Sequence, residues 1–235
     1  MCGKWISSKL EALKAEWEKW QGEPSHWHNL DAYFKPIVTR FFITWFATAP
    51  IISSVMRKYP KLIILPFDWW ILWLASLSYA IAFAIHTFRC PQFIKRYPTY
   101  LAYQARGHSP RWLVWEFHKC WSEIDSEGQE KLETRVIEKQ FACEVDEDTS
   151  LQGKPKVRKE GTVFQFAKTG KSYNVVVDET ATDEFVKDFF WEVFGRWTSS
   201  DSPMRKATWL CLLAALVLVV FTVFQDIWFV ISLLF

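Results

Sequence analysis

The chain has 235 residues, half of them hydrophobic and 23% charged, with a formal net charge of +2. That balance excludes a disordered chain, and it excludes a membrane protein with no water-exposed part. So small a net charge gives no ground for direct nucleic-acid binding. Five cysteines, one of them inside an apolar run, give no disulfide framework and fit reduced thiols.

Residues 1–22 read as an amphipathic helix. Between Lys4 and Trp20 there is no Gly or Pro, and Ile6, Leu10, Leu13, Trp17 and Trp20 recur at spacings of four, three, four and three. This is a heptad seam of only about two and a half repeats, too short for an autonomous coiled coil. With Lys4, Lys9, Lys14 and Lys19 beside it, the seam suits an interfacial helix or one packed in an oligomer. Gly22, Pro24 and Ser25 end it. No apolar core of a cleavable signal, no lipobox before Cys2 and no myristoylation pattern is visible, so insertion is expected to rely on internal segments.

Residues 37–88 read as a membrane hairpin with spans at about 37–56 and 69–88. The second is an uncharged run closed by Arg89, Lys95 and Arg96, and Asp68 stands at its start. The first is uncharged only from Phe41 to Met56 and contains Pro50, so it is either a short crossing or a re-entrant segment. Extension back through Ile37, with Pro36 at the helix start, favours crossing. Trp69, Trp70 and Trp73 sit where a span meets headgroups. The loop carries Arg57, Lys58 and Lys61, but the flanks carry more: Lys35, Arg40, Arg89, Lys95, Arg96, Arg106, Arg111, Arg205 and Lys206. The positive-inside rule therefore places the N-terminus and the middle of this multi-pass chain in the cytoplasm and leaves the basic loop outside, a local exception to the rule.

Residues 90–200 read as a small soluble α+β domain. Ser109-Pro110 predicts a cap and first turn for a helix through Trp112, Trp115, Phe117 and Trp121. Lys131 to Val145 is ambiguous, and the alternation of Phe141, Cys143 and Val145 tips its second half to strand. Segments 161–166 and 172–178 alternate around Ala-Lys-Thr-Gly-Lys and predict a β-hairpin over 161–178. Thr182 predicts the start of a helix with the stripe Phe185, Phe189, Phe190, Val193, Phe194 and Trp197. A sheet of three or four antiparallel strands follows.

Residues 207–235 are apolar apart from a few hydroxyls, Gln225 and Asp226, and predict a C-terminal transmembrane helix. At about 43 Å it exceeds a core of roughly 30 Å, so it must tilt, break near Asp226 or lay its tail in the interface. Asp68, Gln225 and Asp226 are the membrane or pore candidates, because charge at bilayer depth is costly. At span ends they can equally meet water or headgroups.

Catalytic signals are weak. Lys168-Thr169-Gly170-Lys171-Ser172 ends like a phosphate-binding loop, but Gln165 stands where the first Gly belongs and the segment joins two strands. His26, His28, His108, His118, Cys90, Cys120 and Cys143 have no metal-site spacing. His108 with Ser109 lacks a nucleophile turn. The expectation is a non-enzyme without cofactor or metal. Lys154, Lys156, Arg158, Lys159, Lys168 and Lys171 form a basic candidate patch for an anion or an acidic partner, next to the acidic run Glu144, Asp146, Glu147 and Asp148 that can neutralise it.

Short Trp-rich spans, the N-terminal helix, the apolar tail and the absence of a catalytic constellation point to a membrane-embedded, homo-oligomeric effector that perturbs or permeabilises lipid under control of a soluble partner. In layout the chain resembles the small two- or three-span effectors of bacterial anti-phage operons, including retron and cyclic-oligonucleotide systems. The resemblance lies in layout alone and carries over no site. The alternative is a non-catalytic accessory subunit of a larger membrane complex.

Overall fold

The computed structural model describes residues 25–58, 68–146, 154–159 and 161–234. The heptad seam Ile6, Leu10, Leu13, Trp17 and Trp20 lies outside these residues, as do Lys61, Glu147 and Asp148. The chain divides into two compact units, the helices up to Cys90 with those from Ser202, and Pro91–Asp201.

In the first unit, a short helix α1 (Trp27–Asp31) and a 3-10 turn (Ala32–Phe34) precede three long helices: α2 (Pro36–Lys58), α3 (Trp69–Arg89) and, after the second unit, α9 (Ser202–Leu234). All three are long and apolar enough to cross a membrane. Helix α2 begins at Pro36, where the missing N–H costs nothing, and runs through Pro50 without a break. It is thus one continuous helix. Helix α9 starts earlier than the sequence suggests and continues unbroken through Asp226. Helix α3 packs against both α2 and α9, and α1 packs on α3 and α9.

The buried face of α3 includes Leu72, Ala75, Tyr79, Ala82 and His86, spaced three, four, three and four apart. On α9 the buried positions are Arg205, Thr208, Ala215 and Thr222. Small side chains at these contacts let the helix backbones approach closely. Ser78 Oγ uses that approach to donate to the Cys211 carbonyl at 2.9 Å.

The second unit holds helices α4 (Gln92–Arg96), α5 (Tyr100–Gln104), α6 (Trp112–Glu123), α7 (Ser126–Glu138) and α8 (Asp183–Ser199). Its strands are β1 (Ala142–Val145), β2 (Lys156–Arg158), β3 (Gly161–Lys168) and β4 (Lys171–Val177), in the sheet order β1-β4-β3-β2. Every pairing is antiparallel. Thr169 and Gly170 close the β3–β4 hairpin, both with positive φ, 51° and 76°, as a two-residue primed turn requires. The phosphate-loop ending is this turn.

Phe164 and Phe166 face α6, their rings 5.9 and 6.5 Å from Phe117, which in turn lies 5.8 Å from Phe189 of α8. Thr182 caps α8 by accepting from Phe185 N at 3.3 Å. One expectation is corrected. Helix α6 starts at Trp112 without a side-chain cap, and it is the Ser109 carbonyl that accepts from Trp112 N. The ambiguous segment from Lys131 to Val145 divides, with its first half completing α7 and its second half forming β1 as the alternation predicts. At the junction Gln140 takes φ 59° and Phe141 N bonds Val136 O, a C-terminal motif that ends the helix.

Candidate functional site

Asp68 precedes the first turn of α3, yet its carboxylate does not cap that turn. Its Oδ2 accepts from Gln225 Nε2 at 2.9 Å, while its backbone N–H donates to Gln225 Oε1 at 3.2 Å. A carboxamide supplies one donor and one acceptor, so a single Gln closes both bonds. Helix propensity dictates neither residue here. The antiparallel packing of α3 and α9 brings them together across 157 residues of sequence. Asp226 follows, and its Oδ1 is buried without a hydrogen-bond partner. The three residues singled out for membrane function therefore share one place, where α3 begins and α9 has nine residues still to run.

Further polar contacts, which sequence reasoning did not single out, mark the first unit. Tyr79 OH donates to the Tyr33 carbonyl at 3.1 Å and shares a 2.8 Å hydrogen bond with Thr39 Oγ1. The buried His86 ring lies 4.6 Å from that of Phe34 and 5.8 Å from that of Trp27, with Nε2 3.8 Å from Asp31 Oδ1. Buried Arg205 donates to the carbonyl and hydroxyl of Ser25 at 3.4 Å. Residues 25–34 are thereby fastened to α3 and α9. The sequence did hold a signal: Tyr79 and His86 are seven apart within an apolar run, on one helical face with Ala75 and Ala82.

The six basic candidates do not form one patch. Lys154, Lys156, Arg158 and Lys159 lie on or beside β2 and are exposed. Lys168 and Lys171 lie at the far hairpin turn. Lys168 Nζ donates to the Glu130 carbonyl and to Thr134 Oγ1. Lys171 Nζ bonds Glu144 at 2.9 Å, and this hydrogen bond raises its pKa.

Among the other candidates, His108 Nε2 lies 2.7 Å from Tyr97 OH, and the His118 ring packs 5.0 Å from that of Phe164. Burial pushes the Cys120 thiol well above its ordinary range, a setting that suppresses the reactive thiolate. Burial also raises the Tyr100 phenol, to about 12, aided by its 2.7 Å hydrogen bond to Asp183. Among the described residues no group of three or more His, Cys, Asp or Glu is placed to hold a metal ion.

Protein-family models, curated proteins and solved structures were all compared with the chain, and none matches it.

Proposed function

We propose that this is a membrane-embedded effector. Its three long helices cross the bilayer, copies associate, and the assembly perturbs or permeabilises the membrane when a partner releases or triggers it. The bacterial inner membrane is the setting, with the chain before α2 and the Pro91–Asp201 unit on the cytoplasmic side. The two crossings by α2 and α3 return the chain to the face it started from, where the basic flanks concentrate.

The observation that carries the reading is the overshoot of α9. The hydrogen bonds between Asp68 and Gln225 set the start of α3 level with Gln225. The nine residues that follow, as far as Leu234, extend the helix by about 13 Å. They include exposed Ile227, Trp228, Val230 and Ile231. An apolar helix end that outruns its neighbour must thicken the bilayer, tilt, or pack against other copies, and each of these strains the surrounding lipid.

The test is inducible expression of the intact chain and of a version lacking residues 227–235, with a membrane-potential dye and propidium iodide read together. The intact chain is expected to depolarise cells before growth stops, and the truncated chain to insert without doing so. If the truncated chain inserts and remains as toxic, the assignment of the tail is wrong.

A second reading, an accessory subunit of a larger membrane complex, is favoured by the exposed apolar side of α9, where Leu210, Leu216, Val217, Phe221 and Phe224 offer a docking face to another membrane protein. It predicts healthy, polarised cells and a stoichiometric partner on purification.

A further inference from the structure

Helix α6 buries Leu113, Val114, Phe117 and Cys120 and leaves Trp112 and Trp115, one turn apart, 43% and 38% exposed. Among the described residues of the second unit, these are the two exposed rings that share one helix face. Water is a poor solvent for such rings, and tryptophan is the side chain that collects where apolar lipid meets headgroups. Trp112 is also held in place. It donates a hydrogen bond to Glu116, and its ring stacks on that of His108 at 5.6 Å.

Cations gather around this pair. His108 Nε2 lies 2.7 Å from Tyr97 OH, and the Arg106 guanidinium lies over the Tyr97 ring at 5.4 Å. Burial raises the Glu116 pKa, and Lys119 and Arg96 stand near enough to oppose it. Arg96, Arg106 and Lys119 are all exposed. Arg111 adds no net charge, because Glu179 pairs with it at 3.6 Å. The next carboxylate on α6, Glu123, lies about 12 Å along the helix from Trp115. Three cations against the half-buried Glu116 leave the tryptophan end of α6 positive.

Chain length indicates what meets this face. Seven residues separate Arg89, where α3 ends, from Arg96, and seven residues reach at most about 25 Å even fully extended. Five of the seven form α4, which shortens that reach. With α3 crossing the bilayer, Arg96 and the Tyr97 cluster stay tethered close to the headgroups. An anionic lipid surface complements the cations, and its interface accepts indole rings.

We propose that Trp112 and Trp115, with Arg96, Arg106 and Lys119, dock the second unit on the anionic headgroup surface of the membrane that the long helices enter. The proposal deepens the effector reading: it rests on insertion of those helices and names the face through which the second unit meets lipid.

The experiment uses the full chain in nanodiscs of phosphatidylcholine with brominated acyl chains, with or without phosphatidylserine. Co-elution with the discs reads insertion separately. A chain that does not co-elute overturns the membrane reading and the proposal together, whereas one that inserts without docking overturns the proposal alone. The emission lost in W112F/W115F isolates the two rings among fifteen tryptophans. With phosphatidylserine present, the brominated chains are expected to quench that emission, and the quenching is expected to fall as salt is raised. R96Q/R106Q is expected to weaken docking by roughly thirtyfold, about fivefold for each cation lost beside an anionic surface, and R96K/R106K to retain it. Equal quenching without phosphatidylserine overturns the proposal, as does equal quenching in R96Q/R106Q. So does emission that acrylamide in the water quenches and brominated lipid does not. Emission shielded from both quenchers overturns it too, since that is the result expected of a protein seated on this face.

Discussion

The two units use the same aromatic residues in opposite ways. In Pro91–Asp201 the large rings fill the interior: Tyr103, Phe117, Phe164, Phe189 and Phe190 are all fully buried or nearly so. In the helical unit small side chains, Ala75, Ser76, Ala82 and Ala215, take a share of the buried positions of α3 and α9, while Phe41, Phe221, Phe224 and Trp228 point outward. Rings meet between α2 and α3, where Phe42 stacks on Tyr79 at 4.4 Å and Phe46 on Trp73 at 5.7 Å. An aqueous core gains by taking large apolar surfaces out of water. A helix pair in lipid gains nothing that way and relies on close backbone approach and interhelical hydrogen bonds. If the long helices insert as proposed, the contrast is that of a chain folded against two solvents, and it can be tested residue by residue.

The largest contrast is expected between two phenylalanines. Phe190 packs against Phe93, Tyr100 and Tyr103 at centroid distances near 5.5 Å. Phe190→Ala should cost about 3–5 kcal/mol of the second unit's stability, read by denaturant unfolding in detergent. Phe224→Ala, on the outward side of α9, should change stability by less than about 0.5 kcal/mol. Equal effects would break the comparison.

The seam supplies the converse. Ala82 is fully buried on α3, and Ala82→Leu should cost about 1–3 kcal/mol of helix association by overpacking, read by a resonance-energy-transfer pair on α3 and α9. A larger side chain tolerated there would mean that the helices do not depend on close approach.

The smallest effects concern two carboxylates of the second unit with opposite signs. Burial pushes Glu192 up, but hydrogen bonds from Lys139 and Arg135 outweigh it and leave its pKa lowered. Its contribution to stability is present above the ordinary glutamate range and is lost as pH falls through the lowered value. Glu192→Gln should therefore destabilise at neutral pH by no more than about 1 kcal/mol, and the difference should fade in acid. Glu116 is half-buried, and desolvation raises its pKa despite nearby Lys119 and a hydrogen bond from Trp112. Its ionised form opposes folding once pH rises through the raised value, so Glu116→Gln should stabilise slightly at neutral pH and converge on the parent in acid. Thermal unfolding of the parent and the two variants between pH 3 and 8 distinguishes these cases.

Much of this architecture could be read in advance wherever the cause is local. The hairpin turn at Thr169-Gly170, the cap at Thr182 and the stripe of α8 depend on a few neighbouring residues, and the sequence shows them directly. Where the cause is distant, the sequence is silent. Nothing near Asp68 announces Gln225, because only the packing of α3 on α9 joins them. The six lysines and arginines lie close together in sequence, yet the strand order sends four to one rim and two to the far turn.

The second unit is inserted into the first, joined on one side through Cys90 and on the other through Ser200 and Asp201. While unfolded, the insert is a flexible tether of roughly 110 residues whose ends must be brought together before α3 and α9 can pair. Once folded it holds its two ends at a fixed separation, and the pairing helices meet at a raised effective concentration. Folding of the insert thus shortens the loop that the helix pair has to close.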